Sequence, residues 1–307
     1  MTFRVSSVAA AALLAVLVLA GCGSSEKLHP DLLFVSSRSG VYDIYAMNAD
    51  GKAQQRLTHG SSGDATSTQG LFYEIDPAWS PDGSRVAFAS ARSGGVDAIF
   101  VMKADGTDVR QLTTGAAEDT QPTWSADGKQ IAFVRGKLGK IYVMDASGRG
   151  AHRLTKGPAV ESDPSWSPGG TWIAYSRITP NTPVREIWVV HPDGSDAHQV
   201  TFLAASSEGP TWAPDSRRLA FSSDAKGGTF AIHTVGLDGK GDHLLAQLAS
   251  DAVSPAWSPD GKTIAFSSDG SIELVDLAGH VRKLTAGKNN DSSPAWKPLS
   301  SGSSGSK

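Results

Sequence analysis

Six carboxylates recur at one place in this sequence. Glu74, Asp119, Glu161, Glu208, Asp251 and Asp291 each stand two to four residues before the proline of a Pro-x-Trp phrase. Four arginines, Arg38, Arg92, Arg135 and Arg177, recur at a second place, just after a short apolar run. Charges repeated in this way can do three things. They can form a collar that receives a basic loop of a partner protein through complementary potential. The carboxylates can gather a hard cation such as Ca2+, which prefers oxygen ligands. Or each acid can pair with a nearby arginine and order the loops, exposed pairs stabilising by about 0–1 kcal/mol each. The eight histidines (29, 59, 152, 191, 198, 233, 243 and 280) point to no catalytic grouping. His152, His198 and His243 share one slot, which Gln55, Arg110 and Arg282 fill elsewhere, so it reads as a solvated rim position. No HExxH, GxSxG or Walker loop occurs, and no Cys/His pair has ligand spacing. Catalysis would have to be assembled from residues that converge from distant segments. No catalytic residue, metal ligand or cofactor is therefore assigned, Ca2+ being the one ion the acids could suit.

The elements that must position these charges are repeats. DPAWSPDGSRVAFAS (76–90) returns as QPTWSADGKQIAFVR, DPSWSPGGTWIAYSR, GPTWAPDSRRLAFSS and SPAWSPDGKTIAFSS. The tryptophans 79, 124, 166, 212, 257 and 296 are spaced by 45, 42, 46, 45 and 39 residues. Such a period signals propeller blades. Ser-Pro-Asp-Gly is a tight turn, and Val-Ala-Phe or Ile-Ala-Phe after it is a buried strand. Ile-Tyr-Val-Met is another strand, and Asp-Gly then marks a hairpin before the Leu-Thr strand. Each unit thus gives four antiparallel strands. A single such sheet cannot bury both faces, but sheets packed radially can. The tryptophans are expected to wedge between blades.

The first unit lacks its Pro-x-Trp strand, and the terminal fragment SPAWKP (293–298) supplies one. The ends are expected to complete one blade together, giving an all-β, six-bladed propeller over residues 31–298. Strand alternation puts the Ser-Pro-Asp-Gly and Asp-Gly turns on one face. The other face collects variable loops, among them 59–75 and 177–186. Variable loops on a rigid scaffold are where binding concentrates. The collar charges fall on this face.

The ends carry separate signals. Val8–Ala20 is an unbroken apolar run after a single basic residue, too short to span a bilayer comfortably, and reads as a secretory signal. Leu19-Ala20-Gly21-Cys22 resembles the bacterial lipobox, which implies cleavage after residue 21 and lipidation of Cys22, the only cysteine. Residues 22–30 read as a flexible tether and 299–307 as a disordered tail. Without residues 1–21 the net charge is −4, which argues against nucleic acid as a partner.

The repeat WSPDG-xx-IAF … IYxM-xxDG-xxxxLT resembles that of the TolB-type, WD40-like β-propeller, over about 268 of the 307 residues. The resemblance implies an exported propeller that docks proteins. It departs in the lipobox and in the lack of an α/β domain before the propeller. Related propellers also occur with peptidases and polysaccharide lyases, so an enzyme working at the channel mouth on a polysaccharide or peptide is the alternative. The expected protein is a monomeric, exported lipoprotein at the cell envelope, held to the membrane by its anchor alone. It binds a protein or another envelope component.

Overall fold

Apolar residues at consecutive positions of a strand point to opposite faces of its sheet. A strand reading Leu-Leu-Phe-Val-Ser must therefore be covered on both sides. The computed structural model, which describes residues 28–59, 74–93, 95–180, 183–225 and 227–299, shows how this is met. Twenty-four strands form six four-stranded antiparallel sheets. The first blade holds β1 (Leu32–Ser36), β2 (Asp43–Met47) and β3 (Gln55–Arg56). The second holds β4 (Glu74–Trp79), β5 (Arg85–Ser90), β6 (Ala98–Lys103) and β7 (Arg110–Gln111). The third holds β8 (Asp119–Trp124), β9 (Gln130–Arg135), β10 (Lys140–Asp145) and β11 (His152–Arg153). The fourth holds β12 (Val160–Trp166), β13 (Ile173–Ile178), β14 (Glu186–Val190) and β15 (His198–Gln199). The fifth holds β16 (Ser207–Trp212), β17 (Arg218–Ser223), β18 (Ala231–Gly236) and β19 (His243–Ala246). The sixth holds β20 (Val253–Trp257), β21 (Thr263–Ser268), β22 (Ser271–Asp276) and β23 (Val281–Lys283). The last strand, β24 (Ser292–Trp296), joins the first blade, pairing Leu32 with Trp296 and Leu33 with Ala295. The expected closure is thus present, and β1 has a partner on both sides.

The apolar side chains gather in six clusters, one between each pair of neighbouring blades. Leu33 and Ile44 pack with Trp79, Phe88 and Met102 of the second blade. Leu32, Phe34 and Met47, from the same strands, pack the other way, against Ile272 and Leu274 of the sixth. The tryptophans wedge between blades as expected. The indole N–H of Trp79, Trp124 and Trp212 each donates to a carbonyl of the preceding blade: Ala295 at 3.2 Å, Ala78 at 3.2 Å and Ser165 at 2.9 Å.

Two further repeat residues acquire a reason. The threonine of Leu-Thr is buried, and its hydroxyl accepts the isoleucine N–H of the third strand. Thr58 takes Ile44, Thr113 takes Ile99 and Thr285 takes Ile272, all at 2.9 Å. The glycine of Asp-Gly adopts positive φ and also sits against the preceding blade. A Cβ on Gly106 (φ 84°) would lie 2.4 Å from the Leu57 carbonyl oxygen.

Candidate functional site: the loop face and the channel behind it

Six of the predicted charges form one device, repeated in three blades. Arg38 Nη2 donates to both oxygens of Asp291 at 2.9 and 3.0 Å. Arg92 Nη2 pairs with Glu74 Oε1. Arg135 donates through Nε and Nη2 to Asp119 at 2.7 and 2.8 Å, which raises the arginine pKa. The acid side chains are 0–3% exposed and the arginines 22–26%. Each guanidinium lies over a cross-strand aromatic pair. For Arg38 this is Phe34 and Tyr45 (5.1 and 4.7 Å to the centroids), for Arg92 Phe88 and Phe100, and for Arg135 Phe133 and Tyr142. The acid is held under the cation and the rings under it, so what reaches the loop face is a guanidinium edge.

The other acids and the fourth arginine behave differently. Glu161 is buried, but its carboxylate turns into the preceding blade. It accepts the Thr155 hydroxyl and the Ile141 N–H at 3.4 Å, and burial raises its pKa. Arg177 stacks on Trp188, 4.4 Å from the centroid. Glu208 is half-buried and faces Arg185 at 3.8 Å. Asp251 is exposed and accepts the Phe230 N–H at 2.8 Å. The cause of the difference is register. The residue three before the proline is Glu74, Asp119, Glu161, Ser207, Ala252 or Asp291, and all six are buried. Glu208 lies one step after that position and Asp251 one step before it. The six acids are therefore not six equivalents.

One step matters because each inner strand carries a bulge. The residues before the six prolines, Asp76, Gln121, Asp163, Gly209, Ser254 and Ser293, all have φ between 50° and 62°. Register shifts fall at each of them, for example between Ile75 and Ala78. These six residues and their prolines line a central cavity of about 350 Å3. Within it Gln121 bridges two carboxylates. Its backbone N–H donates to Asp76 Oδ2 at 3.2 Å and its side chain to Asp163 Oδ1 at 2.6 Å. Asp163 Oδ2 also accepts from the Ser162 and Ser176 hydroxyls, both at 2.9 Å. Burial, and then the charge of Asp163, push the Asp76 carboxyl up to about 7. Glu208 is raised by the same two causes in the same order. In the sequence this lining carries only a faint mark. Its signal is the residue before each Pro-x-Trp, which is Asp, Ser, Gly or Gln and never β-branched.

At the opposite mouth all six repeat tryptophans, with Pro81, Pro168, Pro214, Pro259 and Pro298, line a cavity of about 410 Å3. Both described chain ends lie on this turn face: the Asp31 N–H bonds the Met47 carbonyl, and the Lys297 N–H the Asp31 carbonyl. Among the described residues, no three His, Cys, Asp or Glu side chains gather as a metal site would require. No described histidine lines the channel. His233 is buried against Asp242 at 3.0 Å, while His152 and His243 are exposed on outer strands. The predicted signal segment 1–21, Cys22, the tether up to residue 27, most of the 59–75 loop and the tail from residue 300 lie outside the described residues.

A closed ring of six blades, with uniform turns on one face and varied loops with paired charges on the other, is a binding scaffold by class. The model of the TolB beta propeller domain matches residues 66–140 and 135–300. The chain belongs to that family. A Tol-Pal system protein TolB from Desulfosudis oleivorans is 38% identical over 66 residues, 22% of this chain and 13% of that protein. An uncharacterized protein of Agrobacterium fabrum is 34% identical over 82 residues, 27% of this chain and 24% of that one. The matched stretches thus span about a quarter or less of these curated relatives. Among solved structures, TolB from Acinetobacter baumannii superposes with a TM-score of 0.73 at 18% identity, covering 88% of this chain and 67% of that one. That likeness is one of fold.

Proposed function

We propose that this protein is an exported, lipid-anchored binding module that docks a protein or another cell-envelope component on its loop face. The asymmetry of the two faces carries the reading. The turn face is built from near-identical turns, and the described chain begins there, just before β1. Residues 22–28 reach at most about 25 Å when extended. An acylated Cys22 would hold the turn face toward the membrane and leave the loop face outward. On that face stand the guanidinium edges of Arg38, Arg92 and Arg135, the stacked Arg177, and the carboxylates of Glu208 and Asp251. The Tol-Pal membership of one relative supports an envelope partner. The test is crosslinking in intact cells, comparing wild type with the triple variant Arg38→Gln, Arg92→Gln, Arg135→Gln. Capture of one defined partner by wild type, lost in the folded variant, is the expected result. Equal capture by both would remove the loop-face collar from the reading. Replacing Cys22 with Ser should move the protein from the membrane to the soluble fraction.

A second reading, a hydrolase or lyase acting on a polysaccharide or peptide, draws support from one observation. The Asp76 carboxyl, pushed up to about 7 by burial and by the charge of Asp163, borders the channel where a general acid would stand. Turnover of a defined glycan or peptide, abolished by Asp163→Asn, would establish it over docking.

A further inference from the structure

Three blades show what the arginine after the second strand is built to hold. Arg38, Arg92 and Arg135 each carry a carboxylate. The fourth blade keeps the register, for Glu161 lies opposite Arg177 just as Asp119 lies opposite Arg135. Yet the carboxylate is elsewhere. Glu161 commits Oε2 to Thr155 and Ile141 of the third blade, and its Oε1 is buried without a hydrogen-bond partner. Glu186, opposite Arg177 on the other side, accepts the Thr201 hydroxyl at 2.5 Å. Arg177 Nε is buried without a hydrogen-bond partner.

In front of Arg177 a cavity of about 430 Å3 opens on the loop face. Trp188, Pro183, Val184 and Phe202 form its apolar walls, and Phe202 is 71% exposed. This volume suits a small ligand or one or two side chains. A guanidinium fixed on an indole and lacking its carboxylate presents a planar fork that matches one. We propose that this pocket binds a carboxylate joined to an apolar body, the carboxylate on Arg177 and the body between Trp188 and Phe202. Two sources share that chemistry: an acidic side chain next to an apolar one on a peptide, and a small free organic acid. The nearby Glu161 and Glu186 charges oppose the ligand, and burial raises both of their pKa values, which reduces that opposition. The inference stands whether or not the collar docks a protein.

The test is calorimetric titration of the purified protein with four probes. These are a capped peptide containing Glu-Leu, its Gln-Leu counterpart, benzoate and benzamide. At least one acid should bind at least tenfold more tightly than its amide. Arg177→Gln should weaken that acid roughly ten- to a hundredfold, the effect of losing a charged hydrogen bond. Phe202→Ser, at an exposed site that leaves the fold intact, should weaken it severalfold. Glu186→Gln should tighten it. Binding of the peptide alone or of benzoate alone supports the site and names its source. Neither acid exceeding its amide would overturn the proposal, as would acid binding that survives Arg177→Gln with the melting curve unchanged. If Arg177→Gln fails to fold, unchanged binding in both other variants overturns it.

Discussion

Replacing Asp76 with Asn should stabilise the protein at neutral and alkaline pH and leave it unchanged in acid. The carboxyl rises from 3.8 to about 7 on folding, so the folded state holds its proton more tightly than the unfolded chain. For a carboxyl shifted upward, stability is greatest below the unfolded pKa and falls as pH rises toward the folded one. The full shift sets a ceiling of about 4 kcal/mol at pH 8. Asp76 is only partly buried and borders the channel cavity, where solvent screens the charge, so about 1–2 kcal/mol is the expected size. Asn keeps an acceptor for the Gln121 N–H and tolerates the φ of 54° at this site. The variant therefore removes the charge with little else. Urea unfolding of both proteins from pH 4 to 8 measures the difference, in which titrating groups remote from Asp76 cancel. The gap should open between the two pKa values and stay constant above about 7. A gap that is flat with pH, or a variant less stable at pH 8, would refute the placement of this charge beside Asp163.

Further outcomes follow from the same geometry. Asp119→Ala should cost about 2–3 kcal/mol by urea unfolding, because it strands Arg135 without its partner, whereas exposed Asp251→Ala should cost under about 1 kcal/mol. Gly106→Ala should destabilise by roughly 2 kcal/mol or more, since its Cβ meets the Leu57 carbonyl. Gly227→Ala, at a similar φ of 82° with nothing within 4 Å, should cost only about 1 kcal/mol by the same measurement. Ending the chain at residue 290 removes β24, exposing the β1 edge and the interface facing the sixth blade. Calorimetry should show loss of the cooperative transition, and a protein that still melts as one unit would contradict closure by this strand.

The ring was legible because its signals are local and repeated. Trp79 and its five counterparts announce the blades, and the missing Pro-x-Trp of the first unit announces the closure. The site was legible only as residue types. Spacing from proline put Glu208 and Asp251 with the other four acids, because a tolerance of one residue looks harmless in a sequence. In a bulged strand it decides between a buried and an open position. Asp76, Gln121 and Asp163 escaped notice because each reads as an ordinary residue before a proline, and only the left-handed bulge turns it into the channel. That Glu161 would bond Thr155 and Ile141 rather than Arg177 depends on the packing of two blades, which no single repeat records.

The closure also sets how the molecule bears load. β1 begins, and β24 ends, on the turn face, side by side and antiparallel. Tension applied between the two ends would open their shared hydrogen bonds one at a time, from the Lys297–Asp31 contact inward, as a zipper opens. Tension between the N-terminal end and a partner gripping the loop face acts otherwise. It pulls β1 along its own axis, and β1 is flanked by β24 on one side and β2 on the other. Both ladders then share the load in shear. The same strand is thus weak when the protein is pulled by its two ends and strong when it is pulled between its N-terminal end and its loop face.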